Sequence, residues 1–99
     1  MTLRHIVLWK LAATDDAQRA ADAARVVAEL NALVGVVPSI RSLTVGTDVV
    51  GGANFDVGLV ADFDDQDGLD AYQVHPAHQE VVGFVRSVVA DRAACDFEL

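Results

Sequence analysis

Apolar positions crowd the start of the chain. LRHIVLWKL, residues 3–11, is rich in branched and aromatic side chains and predicts a strand. Its odd positions carry Leu3, His5, Val7, Trp9 and Leu11, and its even positions carry Arg4, Ile6, Leu8 and Lys10. Both sets are apolar at their centres, as in a strand covered on both faces. The period then lengthens. Across residues 14–35, Ala20, Ala24, Val27, Leu30 and Val34 recur at helical spacing. Thr14 is placed to cap that helix, and Asp15 and Asp16 suit its positive end. Gly35 stops it and Pro38 prevents it from resuming.

Residues 39–50 and 54–63 both predict strands, and Gly51-Gly52 between them predicts an antiparallel hairpin. Asp64 or Asp65 then caps a short helix over QDGLDAYQVH. Pro76 disfavours helical backbone at His75 and suits the first position of a new helix, which is expected to run through Arg92. AACDFEL, residues 93–99, closes the chain as a strand. The order β-α-β-β-α(α)-β is that of a ferredoxin-like α+β fold: one domain over residues 1–99, a four-stranded antiparallel sheet with helices on one face. Ile6 and Leu8 would then lie on the uncovered face. Two such sheets laid together would bury them, so a homodimer is expected.

Composition sharpens this. The hydrophobic fraction is 53%, a surplus for so small a domain. A membrane span is not its outlet: no run of about 18 uncharged apolar residues exists. Arg4, His5 and Lys10 interrupt the first strand and no small-residue cleavage site follows, so no secretory signal is expected. The net charge of −8 argues against nucleic acid and anionic membranes and fits a cytoplasmic protein. Cys95 is the lone cysteine; its strand-like surroundings and its neighbour Asp96 predict a buried, inert thiol. Asp62, Asp64, Asp65 and Asp67 read as a solvated turn and cap. Arg86 and Arg92 read as surface cations paired with acids.

Candidate chemistry gathers in AYQVHPAHQE, residues 71–80, which holds the only tyrosine and two of the three histidines. His78 falls in the first turn of the last helix, where the dipole disfavours the imidazolium. A neutral imidazole is what a general base requires. Tyr72 stands six residues earlier, able to orient that ring or to hydrogen-bond a carbonyl oxygen. His5 shares the helix-side face of the first strand with Val7 and Trp9. Asp96, on the last strand, is a candidate to hold a histidine tautomer. The plainer alternatives are capping for the histidines and a core position for Tyr72. No metal is expected: HPAH straddles a helix break and is not HExxH. No cofactor is expected either, since GxSxG, P-loop and GxGxxG motifs are all missing.

The chain resembles the stress-responsive A/B barrel family of dimeric α+β barrels. The resemblance is carried by LRHIVLWKL with its strand histidine, by GTDV at 46–49, by the F-D-D-x-x-x-L-x-x-Y run at 63–72 and by HPAH at 75–78. It implies a small homodimer. The family includes a plant polyketide cyclase that folds a linear polyketide thioester by aldol condensation without a metal cofactor, and its pocket histidines and tyrosine match His5, Tyr72 and His78. That cyclase has a second pocket tyrosine on the first helix, where this chain has none. Three readings follow. The first is catalysis by His78, Tyr72 and His5 on a polyketide-like carbonyl compound, with Val7, Trp9 and Asp96 binding it. The others are binding of an apolar or aromatic compound without chemistry, and a structural stress-response dimer. The expected pocket side chains are small apart from Trp9, so a ligand is expected to be held by shape and not by charge.

Overall fold

Residues 1–99 are described by a computed structural model. Strands β1 (Leu3–Leu11), β2 (Ser42–Thr47), β3 (Val57–Phe63) and β4 (Val89–Glu98) form one antiparallel sheet in the order β2-β3-β1-β4. Helices α1 (Asp16–Asn31), α2 (Gln66–Val74) and α3 (Pro76–Val88) cover one face, so the fold is ferredoxin-like. The two-residue period of β1 sorts its side chains as the sequence implies. His5, Val7, Trp9 and Leu11 are buried toward the helices, whereas Leu8 is 39% exposed on the other face. Val26, Leu59, Phe63 and Tyr72 are the large centre of the core, each at most 1% exposed. Register puts His5 beside Ala61 on β3 and Asp96 on β4, and Trp9 beside Val57 and Arg92.

Several boundaries and faces differ from the sequence expectation. The cap of α1 is Asp15, whose carboxylate accepts from the Gln18 N–H at 2.8 Å; Thr14 lies one residue outside. The buried stripe of this helix is Ala23, Val26 and Leu30, continued by Leu33 in the turn beyond it. Ala20, Ala24 and Val34 are exposed and Val27 is half-buried. Two adjacent stripes of this alanine-rich helix are apolar and share Leu30, and the one that turns inward carries Val26 and Leu33 in place of Val27 and Val34. The β2–β3 connection is a broad loop over 48–56, not a tight hairpin turn. The Asp48 carboxylate organises it, accepting from the Gly51 N–H at 2.6 Å and the Asn54 side-chain amide at 2.9 Å. These local bonds replace ladder bonds and shorten both strands. Gly51 and Gly52 sit there at φ +86° and +65°, which favours glycine.

The largest correction concerns the last helix. It ends at Val88, and β4 begins at Val89 with no intervening loop. β4 follows β1 along its full length, with a bulge where Lys10 pairs with Asp91 and Leu11 with Val89. Pairing with the central strand captures residues 89–92, overriding the helical pattern. Cys95 is exposed, not buried, because it points to the uncovered sheet face beside Ile6.

Candidate active site at the helix break

His75 ends α2 and caps α3. Its backbone is extended (φ −62°, ψ 134°), as a residue before proline prefers, and its Nδ1 accepts from the Ala77 N–H at 3.1 Å. In an unbroken helix the Ala77 N–H would bond to the Gln73 carbonyl. Here that carbonyl is released and takes two side-chain donors, Gln79 Nε2 at 2.6 Å and His78 Nδ1 at 3.2 Å. A carbonyl oxygen only accepts, so Nδ1 of His78 carries the proton and Nε2 keeps its lone pair. The break therefore sets the tautomer of His78.

Four rings run together from β1 to α3. The His5 ring centroid lies 6.3 Å from that of Tyr72, edge to face. Tyr72 lies 5.1 Å from Phe63 and 4.2 Å from His78. His5 is 4% exposed, and its Nδ1 donates to the Asp96 carboxylate on the neighbouring strand. That bond leaves Nε2 of a neutral His5 as its acceptor nitrogen. Burial pushes the Tyr72 phenol up to about 12, with the Arg92 charge opposing. Burial likewise holds the His78 imidazolium below its ordinary 6.5; the Gln73 carbonyl opposes this, and His5, Arg92 and His75 add to it.

His5, Tyr72 and His78 line one cavity of about 370 Å³, with Val7, Trp9 and Leu59 on the sheet side and Val81, Val82 and Val85 on α3. That volume lies within the range of small-molecule sites, roughly 300–1,000 Å³. Five of the sequence candidates thus border a common space. Asp96 does not; it touches His5 from outside the lining. Arg86 and Arg92 are exposed as expected, but they also line the cavity and lack the expected acid partners. Arg4, Arg19, Arg25 and Arg41 have carboxylate partners, and these two do not. Arg86 was within reach of sequence reasoning, because it follows His78 by eight residues on one helical face. Arg92 was not, because its position depends on where β4 begins. No cluster of three His, Cys, Asp or Glu side chains forms a metal site, and no helix is long and apolar enough to cross a membrane.

Comparison with known proteins places this geometry in context. Residues 3–99 match the family described as Stress Responsive A/B Barrel Domain. A dimeric ferredoxin-like protein of unknown function from Thermobifida fusca is 32% identical with a TM-score of 0.85, over 100% of this chain and 92% of that one. A dimeric protein of unknown function with a ferredoxin-like fold from Bacteroides fragilis is 25% identical with a TM-score of 0.92, over 99% and 96%. The hydroxynitrile lyase of Passiflora edulis shares the fold at 16% identity and a TM-score of 0.78, over 97% and 91%. No curated protein sequence matches.

Proposed function

The chain belongs to the stress responsive A/B barrel family, and on that footing we propose that its cavity binds a carbonyl compound and enolises it without a cofactor. The observation that carries this is the contact of Tyr72 with His78, ring centroids 4.2 Å apart, at a cavity that His5 also lines. Enolisation needs a base at the acidic carbon and a donor at the carbonyl oxygen. His78 is the base: its imidazole is neutral, and Nε2 holds the free lone pair. Tyr72 is the donor: a phenol pushed up to about 12 stays protonated at neutral pH and hydrogen-bonds the forming enolate. His5, oriented by Asp96, supplies the second polar contact, and Asp96 is a positioning residue.

In the reaction, Nε2 takes the proton from the carbon next to the carbonyl. The C–H electron pair becomes the new C=C bond, and the carbonyl π pair moves onto oxygen. In a polyketide-like substrate the enolate carbon then attacks a second carbonyl carbon. The His78 imidazolium returns its proton to the resulting alkoxide, closing an aldol-type ring. The assembly is a homodimer formed through the uncovered sheet faces; the named Thermobifida and Bacteroides proteins are dimeric.

The test is deuterium incorporation into an aryl methyl ketone in D2O, followed by NMR. The wild type is expected to accelerate exchange. His78→Ala should lose about a hundredfold or more of that acceleration, the usual scale for a general base, and Tyr72→Phe should lose at least about tenfold. If thermal shift shows the ketone binding without any faster exchange, the site is a binding pocket. If no ketone binds and His78→Ala merely melts lower, the protein is a structural dimer and the proposal falls.

A further inference from the structure

The charge pattern around the cavity runs against the charge of the chain. The protein carries a net −8, with 15 acidic and 7 basic residues. An arginine in such a protein finds a carboxylate readily, and four do: Arg4 with Asp62, Arg19 with Asp16, Arg25 with Glu29 and Arg41 with Asp64. Arg86 and Arg92 have no such partner, and both line the cavity that holds Tyr72 and His78. They come from different elements, the last turn of α3 and the helix-facing side of β4, so two separate parts of the fold bring them to one place. A groove continues past them, bordered by Trp9, Val85, Val89 and Asp91. Asp91 is the carboxylate in that groove, but it accepts from the backbone N–H of Arg92 at 2.8 Å and forms no ion pair with either guanidinium.

We infer that the cavity takes a carboxylate-bearing ligand, anchored by Arg86 and Arg92 where α3 gives way to β4, with its apolar body against Trp9 and the α3 valines. This rests on the reading of the cavity as a small-molecule site and names the substrate class for it. Arg86 and Arg92 are exposed, so they stand at the mouth of the cavity, where guanidinium forks match the two oxygens of a carboxylate and their weak hydration lowers the cost of binding it. The spacing also fits one small molecule. Arg86 lies eight residues beyond His78 on α3, about 12 Å along the helix axis. A long helical side chain leans toward the helix N-terminus, which brings the guanidinium back toward His78. The substrate is then a keto acid or aryl keto acid, its carboxylate held at one end and its acidic carbon presented to His78 at the other. The charge on Arg92 also reaches Tyr72 and His78. An anion bound there is thus sensed by the pair that acts on it.

Trp9 is the only tryptophan and lines the cavity, so its emission reports occupancy. The experiment titrates 3-cyclohexylpropanoate and, separately, its neutral amide, neither of which absorbs at the excitation wavelength, at pH 7.5. The wild type is expected to bind the carboxylate at least about tenfold more tightly than the amide, the factor that about 1.4 kcal/mol supplies. In Arg86→Gln/Arg92→Gln the two affinities should fall within about twofold of each other, through loss of carboxylate binding while amide binding holds. In His78→Ala the preference should persist. Equal affinities in the wild type overturn the anchor and leave the cavity reading standing, as does a preference that survives in the double variant. Failure of both compounds to alter Trp9 emission overturns the anchor and the cavity reading together. The wild-type comparison needs no variant to fold.

Discussion

His78 is tied to pH through burial in two measurable ways. Its folded imidazolium is held below the ordinary 6.5, chiefly because the half-buried ring loses solvation when charged. The unfolded chain therefore takes up a proton first as pH falls. Stability from this group is complete above 6.5 and declines as pH drops from there toward the lower folded value. Denaturant unfolding at pH 7.5 and at pH 5 should show the wild type losing more stability than His78→Gln, which has nothing to titrate; parallel losses would remove His78 as the source. Turnover should follow the same group: flat at neutral pH, falling in acid as Nε2 is protonated, and with no alkaline limb from Tyr72 across the neutral range, since its phenol is pushed up to about 12. Both residues were legible in the sequence. The alternation of β1 assigned His5, Val7 and Trp9 to the helix side, and Pro76 marked the break that separates Tyr72 from His78. What could not be read was the freed Gln73 carbonyl, because a backbone group leaves no mark on the sequence.

At the level of elements, the two histidines of HPAH part company. His78 faces the cavity. His75 does not line it, and its ring caps α3 through the Ala77 N–H at 3.1 Å. His75→Ala should therefore cost about 1 kcal/mol, seen as a melting point lower by about 4–8 °C for a domain of this size. His75→Asn restores a good cap and should recover that loss. Neither should alter ketone exchange measured on folded protein, and a loss of exchange in His75→Asn would show that His75 does more than cap. The same stretch shows where periodicity misleads. VRSVVADR continues a helical pattern, and Val88 and Val89 are equally at home in a strand. The free edge of β1 settles the matter by pairing with residues 89–98. Reading the helix through to residue 92 sent Arg92 to a helix surface, whereas strand register sets it, still exposed, on the helix-facing side of the sheet beside Trp9. The misplacement of one boundary by four residues thus concealed the charge at the site, and with it the reason to expect an anionic ligand.

For the whole molecule, the open question is the uncovered face of the sheet. Leu8 and Val60 are each 39% exposed and Phe97 is 41% exposed, and by register all three share that face with Ile6, Ala93 and Cys95. Arg4 and Asp62 on this face neutralise each other in a bidentate pair at 2.9 and 3.0 Å. Gly58 lies opposite Leu8 and adds no side chain to this face. A patch of this kind covers itself when two sheets meet about a two-fold axis. An unpaired carboxylate placed at its centre would be desolvated without compensation, at a cost of several kcal/mol. Leu8→Asp should accordingly raise the dimer dissociation constant at least about a hundredfold. Light scattering after size exclusion should give twice the chain mass for the wild type and the chain mass for this variant at micromolar concentration. Val49→Asp serves as the control. Val49 is 94% exposed in the loop between β2 and β3, away from the open face, and its replacement should leave the mass doubled. A wild type that elutes as a monomer would mean that some other partner covers the open face. The carboxylate anchor would survive that outcome, since Arg86 and Arg92 border a cavity on the opposite side of the sheet.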